Sequence, residues 1–185
     1  MALDKSLKEA VLRLSREEKD KMLLRLIGRH KDLQEQLYFQ LIEDGDTLPE
    51  RREHLRAEVD RVCSAEYGSV VWLLGAVRKM HAGIVYHVKI TKDKYGEVEL
   101  VLYLLNQCFE RQPKYANTLS SRAEPLADYL VRRAEAILKK WEKLHPDIRF
   151  EFLDDMNRLL EHCHSWLANY FATERKLPKR VEVRE

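Results

Sequence analysis

A chain of 185 residues fits one ordinary domain and is long enough to bury a core without help from a metal or a disulfide. Hydrophobic residues at 45% exclude a disordered chain, charged residues at 35% suit slender helices with much polar surface, and Gly plus Pro at 11 are too few for the frequent turns of an all-β fold. The net charge of +2 is matched by the last twelve residues alone, which hold five bases and three acids, so the body is balanced and offers no broadly basic nucleic-acid-binding face.

The earliest helical stripe is Leu7, Ala10, Val11 and Leu14. Ser15 followed by Glu18 has the spacing of a capping box, in which each side chain satisfies the other's backbone N–H. The helix it starts carries Met22, Leu23, Leu26 and Ile27 on one face. After a break near His30 and Lys31 a third stripe runs through Leu33, Leu37, Tyr38, Leu41 and Ile42. Gly45 can take the left-handed conformation that closes a helix, and Thr47-Leu48-Pro49-Glu50 offers a new start with Pro in the first turn. The helix beyond this start places Leu55, Val59, Val62 and Cys63 inward, and Gly68-Ser69 ends it.

Residues 70–90 are the most apolar part of the chain and are expected to be its buried centre. Val70, Leu73, Leu74, Val77, Met80, Ile84 and Val88 form one stripe, and Trp72, Gly75, Ala82 and Tyr86 form a second. Gly75 and Ala82 are seven apart and would let a neighbouring helix approach closely. The longest apolar run, Val70 to Val77, is far short of the ~20 residues of a membrane span. Residues 84–104 carry two patterns. Ile84, Tyr86, Val88 and Ile90, then Val98, Leu100, Leu102 and Leu104, alternate like a β-hairpin around Asp93-Lys94-Tyr95-Gly96. Val98, Val101, Leu102, Leu105, Cys108 and Phe109 make a helical stripe, which is favoured because it continues unbroken over three turns. A long charged helix over 119–143 and a last one from about Ile148 to Thr173 complete the set, the latter with Phe152, Met156, Leu159, Leu160, Cys163, Trp166, Leu167 and Tyr170 inward.

The expected fold is all-α, with about eight helices in antiparallel pairs as a helical bundle or a short α-solenoid. Pairs recur at roughly 40–50 residues, a length similar to HEAT and armadillo repeats, although no motif letters repeat. An α+β fold with a hairpin at 84–104 is the alternative. Residues 1–173 read as a single helical domain and 174–185 as a charged C-terminal tail. The N-terminus lacks the apolar run of a signal peptide, and three widely spaced cysteines without a CxxC pair suit a reduced, cytoplasmic setting.

The most chemically suggestive string is Glu161-His162-Cys163-His164. On a helix His162 and His164 point about 200° apart, so they cannot share an ion, and only Glu161 with His164 has a chelating spacing. His81 and His87 lie six apart on the central helix and do not share a face. Adjacent Asp154 and Asp155 diverge by about 100° and suit a helix N-terminus better than acid–base work. Arg132, Arg133, Lys139, Lys140 and Lys143 give the long helix a basic side interleaved with Glu135 and Glu142. Arg175, Lys176, Lys179 and Arg180 carry the tail's charge. No P-loop, GxGxxG, GxSxG or zinc spacing occurs. The candidate binding residues are therefore His81, His87, His162, His164, Arg175, Lys176, Lys179 and Arg180, with no catalytic residue, cofactor or metal expected. The run of paired amphipathic helices with no catalytic string favours a non-enzymatic interaction or scaffold protein that meets a protein partner or a second copy of itself. One alternative is nucleic-acid binding or regulation through the tail and the 132–143 face. Another is a metal or thiol enzyme built on His81, His87, Cys163 and His164.

Overall fold

The computed structural model describes residues 4–183, which fold into eleven α-helices and one 3₁₀ turn, with no strand among them. No helix of these residues is long and apolar enough to cross a membrane. The chain divides into two compact units, residues 1–47 and 48–185.

The N-terminal unit holds α1 (Lys5–Arg13), α2 (Arg16–Arg29) and α3 (Lys31–Leu41). Asp4 caps α1 by accepting from the N–H groups of Ser6 and Leu7 at 2.9 and 3.2 Å. The expected capping box starts α2: Ser15 Oγ accepts from the Glu18 N–H at 3.3 Å and Glu18 Oε2 accepts from the Ser15 N–H at 2.9 Å. Leu14 is extended, so α1 and α2 are separate helices, and α2 packs on α3. Asp44 and Gly45, at φ +50° and +79°, turn the chain after α3, and Gly45 donates to the Phe39 carbonyl at 3.3 Å. No residue of α1 or α2 is buried.

The C-terminal unit contains α4 (Leu48–Ser64), α5 (Val70–Thr91), α6 (Lys94–Arg111), the single turn α7 (Pro113–Ala116), a 3₁₀ turn (Ser121–Ala123), α8 (Glu124–Trp141), α9 (Pro146–Glu151), α10 (Leu153–Cys163) and α11 (Ala168–Glu174). Helix α6 packs against α4, α5, α8 and α10. A central helix with four neighbours is the organisation of a bundle, whereas a solenoid gives each element only its sequential neighbours. The buried centre is thus α6 and not residues 70–90. Eleven of its 18 residues are buried, against seven of 22 in α5. This also accounts for the hairpin-like pattern. Val98, Leu100, Leu102 and Leu104 alternate because a helix packed on most of its sides carries apolar residues beyond one stripe, and a period of two can be read among them. The second stripe of α5, expected inside, faces out: Gly75 and Ala82 are exposed and Trp72 is 70% exposed.

A buried polar joint fixes the turn between α5 and α6. Lys92 takes a left-handed conformation at φ +61°, and Asp93 then caps α6 by accepting from the Gly96 N–H at 2.8 Å. Both carboxylate oxygens of Asp93 also receive Arg52 of α4, from Nε at 2.6 Å and from an Nη at 2.7 Å. His87 Nε2 stands 3.5 Å away. A Cβ on residue 96 would lie 2.0 Å from Asp93 Oδ2 and 2.8 Å from Arg52 Nε, so this glycine is required by space. Gly96→Ala is expected to push the carboxylate off its cap and off one of the Arg52 bonds. The resulting cost is about 2 kcal/mol, measurable by urea denaturation.

The last predicted helix is three helices. Phe152 departs from helical geometry between α9 and α10, and Trp166 adopts φ +48° between α10 and α11. The second break rotates α11 relative to α10, so Trp166 and Tyr170, expected inside, are 57% and 66% exposed. Lys176, at φ +53°, then turns the chain back. Leu177 is buried, and the Asn157 amide pairs with the Val181 backbone as a strand would, donating to its carbonyl at 3.1 Å and accepting from its N–H at 2.8 Å. The described part of the expected tail therefore lies against the bundle.

Candidate functional site

Helices α4 and α5 diverge from the corner at residues 65–69 and leave a groove of about 420 Å³ along the C-terminal unit. Leu55 and Val62 from α4 and Met80 from α5 supply its apolar surface. The α5 wall is low because it is built from Ala76 and Gly83, and a Cβ on Gly83 would meet nothing within 4 Å. Charges of both signs line the rim: Glu58 of α4, held by Arg61 at 2.6 Å, and Lys79 of α5. Trp72 belongs to the same α5 stripe, since 72, 76, 79 and 83 follow the i, i+4, i+7, i+11 series. A Cβ on Gly68 would be 3.7 Å from the Trp72 ring, which places the ring beside the corner.

The corner itself is tied to the central helix. Gln112, at the end of α6, donates to the carbonyls of Cys63 and Ala65 at 2.7 and 2.9 Å. Tyr115 of α7 donates to the Tyr67 carbonyl at 2.5 Å, and Tyr67 donates to the Val62 carbonyl at 2.8 Å. The end of α4, whose last carbonyls have no helical partner, is thus held by side chains from a second element.

The sequence candidates are placed apart. His81 meets Tyr129 edge-on at 6.4 Å. Burial, with Arg133 and Lys140 nearby, holds its pKa below the ordinary value, so it is neutral at pH 7. His87 is buried beside Asp93. His162 stacks on Phe109 at 5.2 Å, with Nε2 3.7 Å from Glu110. His164 Nε2 donates to the carbonyls of Leu177 and Pro178 at 3.0 and 3.2 Å. Arg175 pairs with Asp128 at 3.0 Å and Glu135 at 3.5 Å, and Lys176 is exposed. The structure brings together only His164, Lys179 and Arg180, which line an open polar cleft of about 780 Å³ with Arg158, Asp154 and Glu161.

On the 132–143 face, Arg132 pairs with Asp128 at 2.7 Å, Lys139 with Glu135 at 2.6 Å, and Lys140 with Glu97. All three cysteines are free. Burial pushes the Cys63 and Cys163 thiols up to about 12 and that of Cys108 higher still, so they are protonated packing groups at neutral pH. Among the described residues no three His, Cys, Asp or Glu side chains are placed to hold a metal ion.

The groove was the feature hardest to find in the sequence. Ala76 and Gly83 are seven apart, as are Gly75 and Ala82 one residue earlier, and nothing in the spacing says which pair borders a cleft. No family model, curated protein or solved structure matches the chain.

Proposed function

We propose that the chain is a non-enzymatic protein-interaction module whose α4–α5 groove receives one amphipathic helix of a partner protein. The observation that carries this reading is the groove's composition: an apolar floor, a wall lowered by Ala76 and Gly83, and a charged rim formed by the Glu58–Arg61 pair and Lys79. The α5 stripe from Trp72 to Gly83 spans eleven residues, or about 16 Å, which is three turns of a docked helix. Such a helix would present apolar residues at i, i+4 and i+7 to the floor and an acid toward Lys79. Trp72, 70% exposed, is the kind of aromatic that anchors an interface. The bases of the 132–143 face and Arg175 are largely neutralised by neighbouring carboxylates, which gives nucleic acid less to bind. Free, buried cysteines suit a reducing, cytoplasmic setting.

Two glycines of α5 provide a matched test. A Cβ at either Gly75 or Gly83 meets nothing within 4 Å, so leucine fits at both and improves helix propensity equally. Only residue 83 lines the groove. Peptides selected from a displayed library of 16-residue helices should bind the wild-type chain and lose at least tenfold in affinity for Gly83→Leu and for Trp72→Ala. Gly75→Leu should bind them unchanged. Selected peptides that bind Gly83→Leu as well as wild type, or a library that yields no binder, would overturn the reading.

A further inference from the structure

We infer that the face shared by α5 and α8 binds a dianionic phosphate monoester group through Arg78, His81, Tyr129 and Arg133. The site stands independently of the α4–α5 groove. At about 100° per residue around α5, Lys79, Met80 and Gly83 of the groove fall within about 60° of Ala76. His81 and Arg78 fall about 140° and 200° from it, on the side that meets Tyr129 of α8.

Tyr129 is the centre of the arrangement. The Arg78 guanidinium lies 5.3 Å and the Arg133 guanidinium 5.2 Å from its ring centre, so their carbons are at most about 10.5 Å apart, and the His81 ring stands edge-on at 6.4 Å. Neither arginine has a counter-ion among the described residues. On α5 the positions three and four away from Arg78 are Leu74, Gly75, His81 and Ala82. On α8 those around Arg133 are Tyr129, Leu130, Ala136 and Ile137. Helical spacing therefore supplies no carboxylate to either. The nearby acids are already engaged: Asp128 by Arg132 and Arg175, Glu135 by Lys139 and Arg175, and Glu97 by Lys140. Arg133 Nε is buried without a partner. The Tyr129 hydroxyl has no acceptor among the described residues, and burial raises its pKa, so it keeps a proton to donate. The uncompensated charge is felt at His81, whose pKa is held down by burial and then by Arg133 and Lys140.

The set thus offers hydrogen-bond donors and no negative charge, and two cations sharing one ring repel until an anion comes between them. Guanidinium groups hold phosphate through paired N–H bonds, and two of them on one phosphoryl group stand about 8 Å apart, carbon to carbon. Arg78 is exposed, so rotation of its side chain closes any remaining distance. A doubly charged group can accept from both arginines and the hydroxyl at once, which suits a monoester better than a singly charged diester.

The test titrates the full chain at pH 7.5, where the group carries most of its second charge, and follows the arginine Nε–H and His81 ring resonances by NMR. The probes are inorganic phosphate, an N-acetylated phosphoserine amide and dimethyl phosphate. Phosphate and the phosphoserine amide should saturate the shifts below 10 mM. Arg78→Met and Arg133→Met should each weaken both at least tenfold with helical circular dichroism unchanged. Arg56→Met should bind as wild type, since Arg56 lies over Tyr103 at 3.9 Å in the same manner but is paired with Glu99 at 3.2 Å. A phosphoserine amide that binds more tightly than phosphate supports the site and assigns the group to a modified partner protein. One that binds no more tightly supports the site and assigns it to a free phosphate compound. Shifts that do not saturate by 10 mM overturn the inference. So does dimethyl phosphate that binds as tightly as phosphate, which would make a nucleic-acid backbone the better ligand. So does an equal loss in Arg56→Met, which would reduce the effect to net charge.

Discussion

Replacing Asp93 with Ala is expected to lower the unfolding free energy by about 3–4 kcal/mol at pH 7, read from urea denaturation. The side chain is only 3% exposed and serves two purposes, receiving both Arg52 nitrogens and capping α6 through Gly96. Alanine removes the cap, worth about 1 kcal/mol, and leaves the Arg52 guanidinium without its counter-ion. Arg52 retains 24% exposure and lies over the Tyr95 ring at 4.7 Å, so its charge is partly hydrated, and the ion-pair loss falls at the low end of the buried range. Asp93→Asn keeps a good capping residue and removes only the charge, so it should cost about 2 kcal/mol. Adding Arg52→Met to Asp93→Asn should recover part of that loss, because the unpaired cation is then gone.

The same joint predicts a pH dependence. Burial alone would raise the Asp93 pKa, but the nearby His87 ring, the hydrogen bonds from Arg52 and the Gly96 N–H, and the charge of Arg52 outweigh it and hold the carboxyl well below the usual range. A group whose folded pKa lies below its unfolded value binds more protons in the unfolded state as pH falls. Its stabilisation is therefore complete above the ordinary carboxylate pKa of about 4 and is lost progressively below it. Stability of the wild-type chain should decline between pH 4 and pH 2.5, and Asp93→Asn should show a shallower decline in that window. Parallel curves for the two proteins would assign the acid sensitivity to other carboxylates.

The helices were legible because their signals are local. The Ser15–Glu18 box, the Gly45 closure and the Pro at the start of α4 depend on residues within one turn of each other, and each element begins or ends near where those residues stand. The surface that each helix buries against was not legible. The stripes of α1, α2 and α3 have the same spacing as those of α8, yet Leu23 and Leu41 face solvent while Leu126 and Leu130 are fully buried. Periodicity reports a face and says nothing of its partner. The identity of the central helix was obscured for a related reason, since a helix packed on most sides carries apolar residues beyond its stripe, and α6 therefore showed a strand-like alternation beside its helical one. The break at Trp166 depends on a left-handed residue with no glycine to announce it. The Arg52–Asp93 pair joins residues 41 positions apart, and a single sequence gives no means of pairing one arginine among many with one aspartate.

Gln112→Ala is expected to cost about 2–3 kcal/mol and to loosen one end of the α4–α5 groove. The amide donates to two carbonyls, and that of Cys63 is buried where no water replaces the lost bond. The Ala65 carbonyl lies beside an exposed residue and can be rehydrated, so its share is smaller. Methionine at 112 preserves volume without the donors and should lose nearly as much, which assigns the effect to hydrogen bonding rather than packing. Tyr115→Phe removes a single bond to the Tyr67 carbonyl and should cost about 1 kcal/mol. Both side chains hold the same corner, so their double variant should fall short of the sum. Amide hydrogen exchange locates the change. Protection should fall in the last turn of α4, residues 61–64, in Gln112→Ala while the amides of α8 and α10, on the far side of α6, keep theirs. If the groove binds a helix as proposed, the loosened corner must be ordered on binding, and affinity for a selected peptide should drop several-fold through a faster off-rate. A variant that loses stability and corner protection yet binds the peptide as before would mean that the corner supports the fold without shaping the groove.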